Sequence, residues 1–413
     1  CSRDPRLDRH RAWGGGPMNA TLGDVIELGI ILILLFTLIT VIAISLVWLE
    51  RKLLGRLQGR PGPTRVGWFG ILQPIADALK LLAKEDVSPG SSQKVLFFVA
   101  PLLVFVPAFV VWVTFPFSES LVVRNLGLGL FFFVAISVLS IVGLVLAGWS
   151  SNSKYAILGS FRAAAQLVSY EIPIIMSILV VAMLAGTLNF IEVVQKQETV
   201  PYVAMVPLAF AIFLVAGLAE VGRTPFDIYF AESEVVGGPF VEYSGAHWAI
   251  FFLAEYVNTF VVGLLGALLF LGGWTWPFGP DIPVVAAVAL LLAKAYFIVA
   301  FIFWVRATYP RMRIDQLMSF AWKWLIPLSF AVFIAGAFQL FYEWHWTVLT
   351  ILSLVILAVP VVIQLRKQRN PAMALAARYA ASAVVVRAKP KPEAAPESDA
   401  AASTPPVADG ANA

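Results

Sequence analysis

The sequence predicts an all-α polytopic membrane helix bundle, with about nine transmembrane helices plus one amphipathic interfacial helix on the cytoplasmic side. Three observations carry this. Of 413 residues, 60% are hydrophobic and 13% charged, about half the charged fraction of a typical soluble domain. Nine apolar runs are each about 20 residues or more, the length that crosses a bilayer's hydrocarbon core. Lys and Arg also gather in alternate connecting segments, as orientation in a membrane requires.

Taken in order, residues 1–23 are expected to be a disordered N-terminal extension; they are polar and Arg-rich, and Met18 resembles a natural start. The first apolar run is too long for a cleaved signal peptide. The transmembrane bundle is assigned to residues 24–365, with spans near 24–48, 95–117, 127–149, 162–187, 201–221, 247–272, 283–305, 322–342 and 346–365. Residues 366–413 turn basic and then Ala/Pro-rich. Such a tail cannot bury apolar surface and is expected to be disordered.

The segments after the first, third, fifth and seventh spans, with the tail, hold about 22 of the 29 Lys and Arg residues. This places the N-terminus outside and the tail in the cytoplasm, and an odd number of spans agrees with it. The net charge of +4 and pI near 9.1 are therefore read as loop bias, and nucleic acid is not an expected partner. The one cysteine, Cys1, cannot form an internal disulfide or hold an iron–sulfur cluster. The three histidines stand far apart, so no metal site is readable.

The loop at residues 49–94 organises the rest. It leaves the first span through a basic patch, turns at the stiff Arg60-Pro61-Gly62-Pro63 corner, and enters an amphipathic stretch. There Trp68, Ile71, Leu72, Ile75, Leu79 and Leu82 recur at helical spacing, while Gln73, Asp77, Lys80 and Lys84 share the other side. A helix in the interfacial plane is expected. It either walls a cavity at headgroup depth, open sideways to a lipid-soluble ligand, or simply anchors the bundle.

Charges inside spans are costly and usually functional. Glu171, Glu255 and Lys294 lie well inside their spans at similar depth, and are expected to face one another across a polar axis or to form a structural Glu–Lys pair. The acidic loop at 222–246 adds a second cluster: Glu220, Asp227, Glu232, Glu234, Glu242 and Glu255, balanced by Arg223. Its aromatic and β-branched residues, Phe226, Tyr229, Phe230, Val235, Val236, Phe240 and Tyr243, imply folding against protein or lipid. Carboxylates crowded there repel one another and lose hydration, so some are expected to exchange protons near neutral pH.

Three stretches carry a family resemblance: ERKLLGRLQGRPGPTRVGWFGILQPIADALKLLAKED at 50–86, RTPFDIYFAESEVVGGPFVEYSGAHWAIFFLAEY at 223–256, and WVRATYPRMRIDQLMSFAWKWLIP at 304–327. Together they resemble the H subunit of proton-pumping NADH:quinone oxidoreductase, respiratory complex I, over residues 24–327. The resemblance implies a quinone chamber near Glu50, Arg51, Arg60, Arg65, Trp68, Phe226 and Asp227. It implies a proton-coupling set in Glu171, Glu220, Asp227, Glu232, Glu234, Glu242 and Glu255, which Lys294 joins by its position in a span. The family's usual Leu-Pro-Glu-Ala-Glu after Phe-Asp is here Ile228-Tyr229-Phe230-Ala231-Glu232, and Pro239-Phe240-Val241 replaces Tyr-His-Thr.

By the same resemblance, the chain carries out no redox step itself and forms the membrane side of the chamber. Ubiquinone or menaquinone is the substrate, and FMN and iron–sulfur clusters sit in partner subunits. Its partners are peripheral and membrane subunits of the complex in a bacterial cell membrane. Two other readings are the membrane anchor of an energy-converting hydrogenase or formate-hydrogen-lyase complex, and a stand-alone ion transporter. The second lacks an internal repeat or an inverted pair of broken helices.

Overall fold

The computed structural model describes residues 22–229, 235–279 and 282–369, and no strand occurs among them. This follows from the solvent. In hydrocarbon each backbone N–H and C=O must be satisfied inside its own segment, which a helix does.

Helix α1 (Leu22–Leu57) runs through the first apolar stretch and nine residues past its expected end at 48. At about 1.5 Å per residue it is about 54 Å long, so its basic end projects beyond the hydrocarbon. A single 3₁₀ turn, Trp68–Gly70, and α2 (Gln73–Leu82) form the amphipathic element. The regular helix is shorter than the expected stretch because Gly67, Phe69 and Gly70 all have positive φ, and Pro74 fits only in the first turn. Trp68, Leu79 and Leu82 are largely exposed, while Asp77 turns back to pair with Arg51 on α1.

The next four apolar runs hold α3 (Lys94–Val110), α4 (Gly129–Ser150), α5 (Lys154–Ala185) and, after the short α6 (Phe190–Gln195), a broken fifth run. That run divides into α7 (Tyr202–Met205) and α8 (Pro207–Glu220) at Val206, whose backbone is non-helical. Helix α5 starts eight residues before the expected 162. Next come α9 (Gly245–Phe270) and α10 (Val284–Thr308). The eighth run is preceded by α11 (Ile314–Phe320), which passes through a π-helical turn, Ala321–Leu325, into α12 (Ile326–Tyr342). Helix α13 (Trp346–Arg369) closes the described chain.

Seven stretches among the described residues are long and apolar enough to cross a membrane, and two shorter apolar helices occupy the fifth and ninth runs. The chain is therefore a polytopic helix bundle. Side chains such as Val285 and Phe341, 82% and 79% exposed, point outward, as lipid contact allows. Close helix approach uses small residues: a methyl added at Gly263 of α9 would lie 2.9 Å from the Ala295 carbonyl oxygen of α10. The chain up to Leu357 is one compact unit. In the second, Ala358–Ala413, the described part is helix to Arg369.

Candidate functional site

The last turns of α1, the start of the acidic loop, the first half of α9 and the end of α10 converge on one buried carboxylate, Glu50. It is 3% exposed, accepts a 2.6 Å hydrogen bond from the Tyr256 hydroxyl, pairs with Arg306, and lies 3.7 Å from Arg223. Arg223 turns its other side to Glu255 at 3.1 Å and rests over the Tyr256 ring, 4.6 Å from its centroid. Burial opposes the charge on Arg223, but Glu255 and Tyr256 beside it outweigh that and hold the guanidinium protonated.

Local structure places these groups. Glu50 and Arg306 reach the network only because α1 and α10 stay helical past their apolar runs. Arg223 follows Gly222, which turns the chain with φ +67° directly after α8. Gln166 of α5 donates to the carbonyls of Ala219 and Phe226, both at 2.8 Å. The Met312 N–H donates to the Pro225 carbonyl at 2.9 Å, and Arg311 holds Asp227 at 3.0 Å. The acidic loop is thereby pinned to two other segments, α5 and the connector that follows α10.

Two cavities meet at this network. One, of about 490 Å³, is lined by Arg223, Asp227, Tyr243, Trp248, Glu255 and Arg306 among others. The other, of about 110 Å³, lies among the helices and is lined by Glu171, Glu220, Tyr229, Glu255, Ser137 and Asn258 within apolar walls. Glu255 and Phe240 line both. Glu171 Oε1 and Glu220 Oε2 are buried without a hydrogen-bond partner among the described residues. The smaller cavity has room for several waters to serve them, at about 10–15 Å³ of such volume each.

The structure thus brings together Glu50, Glu171, Glu220, Asp227 and Glu255 of the expected set. Arg51 pairs with Asp77 at the loop surface, and Arg60, Arg65 and Trp68 are exposed there. Phe226 is buried against Tyr170 and lines an apolar cleft with Trp304 and Phe320. Glu242 is half-buried beside the Gly238–Phe240 turn and lines neither cavity. Glu232 and Glu234 lie outside the described residues.

Lys294 does not join the carboxylates. Its ammonium donates to the carbonyls of Leu271, Gly273 and Trp276 at 2.7, 2.7 and 2.6 Å. The reason is the end of α9 at Phe270: the turn beyond it leaves carbonyls that a half-buried ammonium can satisfy. Lys294→Met is expected to destabilise the bundle by several kcal/mol, at about 1.5–3 per hydrogen bond to a charged group, which thermal unfolding of the purified protein measures.

Sequence reasoning missed Arg306 and Tyr256 as partners of Glu50. Arg306 lies just past the end of the seventh apolar run, and Tyr256 lies inside the sixth with no role assigned to it. The signal available was an Arg within one helical turn of an apolar run's end.

By fold and site, this is a multi-pass membrane protein with an ionisable interior of the kind that marks ion and proton pathways. A family model described as NADH dehydrogenase matches residues 29–337. The H subunit of NADH-quinone oxidoreductase from Dehalococcoides mccartyi (strain CBDB1) is 45% identical over 315 residues, 76% of this chain and 87% of the relative. The corresponding protein of Geobacillus kaustophilus (strain HTA426) is 50% identical over 282 residues, 68% and 84%. That of Geobacillus sp. (strain WCH70) is 45% identical over 318 residues, 76% and 94%. The chain belongs to this NADH dehydrogenase family, the family of complex I H subunits, and is a membrane subunit.

Proposed function

We propose that this chain forms the membrane side of a quinone chamber in a proton-translocating NADH:quinone oxidoreductase and couples quinone reduction to proton translocation. It carries out no electron transfer itself. The loop at 49–94 faces the cytoplasm and meets the peripheral subunits that hold FMN and iron–sulfur clusters, while the N-terminus lies outside. The distribution of Lys and Arg supports that orientation. Exposed apolar side chains on Trp68 and α2 support a headgroup-level position, beside which ubiquinone or menaquinone passes into the larger cavity.

The observation that carries the proposal is that Glu255 lines both cavities. Reduction of a quinone consumes protons and leaves negative charge beside Arg223, Asp227 and Arg306. A change of that size biases the protonation of Glu255, and Glu220 and Glu171 pass the change into the bundle. Glu232, Glu234 and Glu242 extend the acidic loop's share of this coupling.

The test is Glu171→Gln and Glu255→Gln in assembled complex, with quinone reduction and proton translocation measured separately in proteoliposomes. Translocation is expected to fall by roughly 10²-fold, the lower end of what a positioned proton-transfer group contributes. Unchanged pumping in both variants would overturn the proposal.

A further inference from the structure

Glu255 and Phe240 line both cavities, so one carboxylate and one apolar ring are the groups the two share. Tyr229 stands where a path between them needs a second polar group. It lies in the acidic loop, is 5% exposed, and lines the smaller cavity with Glu171, Glu220 and Glu255. Its hydroxyl is packed against Gly222: a methyl carbon added there would overlap the phenolic oxygen. Gly222 itself lines the larger cavity, next to Arg223. Tyr229 therefore lines one cavity, and its hydroxyl packs against a residue that lines the other.

We propose that the Tyr229 hydroxyl is a proton-transfer group that carries protons between the larger cavity and the carboxylates of the smaller one. The inference rests on the coupling function proposed above and adds the group that completes the connection. In each transfer the phenolic oxygen accepts a proton from the Glu255 side as its own proton leaves toward Glu220, directly or through a cavity water. One O–H bond forms and one breaks, and Tyr229 remains neutral. The surroundings enforce that neutrality. Burial, and then the negative charges of Glu255 and Asp227, push the phenol well above its ordinary range, and Arg223 offsets this only in part. A phenol so placed does not store charge as phenolate; it relays.

Two geometric facts fix the hydroxyl for this role. Gly222 has φ +67°, a backbone conformation that a side chain strains, and the absence of Cβ is what admits the hydroxyl. The neighbouring Ile228 is buried and its N–H donates to the Phe226 carbonyl at 3.0 Å, while Phe226 is held through Gln166. The turn carrying Tyr229 is thus anchored to α5.

The test uses the complete complex in proteoliposomes and compares Tyr229→Phe, Tyr229→His and Glu255→Gln with the unaltered chain, reading the rates of proton translocation and of electron delivery to quinone. Tyr229→Phe keeps the ring and removes the hydroxyl. It is expected to lower the translocation rate by roughly 10²-fold, with the complex present in normal amount. Tyr229→His returns a proton-carrying group near the ring tip and should recover part of that loss. Normal pumping by Tyr229→Phe with impaired pumping by Glu255→Gln would overturn the role of the hydroxyl and leave the coupling function standing. Normal pumping in every variant, and in Glu171→Gln, would overturn both. Equal loss in the Phe and His variants, or failure of both to assemble, would reduce Tyr229 to packing and overturn the inference.

Discussion

Replacing Arg223 with Met is expected to destabilise the bundle by about 3–5 kcal/mol, the cost of removing one partner from a buried ion network. Arg223 is 5% exposed and stands between Glu255 at 3.1 Å and Glu50 at 3.7 Å. Methionine fills most of the same volume, so the change isolates charge from packing. It leaves two carboxylates facing each other where water is scarce, with Arg306 able to serve only Glu50. Thermal unfolding of the detergent-solubilised complex, and the amount of this chain in membranes, are the measurements. Adding Glu255→Gln to Arg223→Met should recover part of the loss, because the uncompensated charge then disappears; the double-mutant comparison gives the coupling directly. An unaltered melting temperature in Arg223→Met would show that the network does not hold these helices.

Gly70→Ala is expected to act on the loop proposed above to wall the quinone chamber. Gly70 has φ +78°, and an added methyl carbon would overlap the Pro63 carbonyl oxygen and lie 2.5 Å from its carbon. Both contacts are backbone, on the stiff side of a Pro-Gly-Pro corner. The left-handed conformation costs a non-glycine residue about 1–2 kcal/mol, and overpacking adds about 1–3. The turn Trp68–Gly70 must move to relieve this, which carries the Trp68 and Phe69 side chains with it. For quinone reduction the expected signature is a raised KM with little change in kcat, the mark of weakened substrate binding. Gly59→Ala is the comparison, since Gly59 has φ +67° with open space around it. Equal kinetics for the two variants would mean that the packing of the corner on the turn does not shape the chamber.

Much of the architecture was legible in the chain because lipid imposes a simple rule. Each of the nine apolar runs became a helix or, at 201–221, a helix interrupted before Pro207. Helix ends were less legible. Polar residues such as Glu50 and Arg306 read as loop until their partners are known, and it is those partners that let α1 and α10 continue. The amphipathic stretch was legible as a pattern, but not its break at Gly67–Gly70.

The candidate site divides in the same way. Glu171, Glu220 and Glu255 were conspicuous because a carboxylate in an apolar run is costly, and they do share one cavity. Lys294 was conspicuous for the same reason and was grouped with them. Depth along a helix says nothing about azimuth, and its ammonium instead closes the end of α9.

By itself the sequence determined that this protein crosses a membrane repeatedly, where its apolar segments lie, and which carboxylates are out of place in lipid. Those facts follow from transfer free energies, and each residue contributes to them regardless of its neighbours. Only the tertiary structure decided which charges meet: that Glu50 is held by Arg223, Arg306 and Tyr256, that Glu255 stands between two cavities, and that Tyr229 reaches Gly222. Pairing falls off over a few ångströms, and such distances between segments far apart in the chain exist only after the helices have packed.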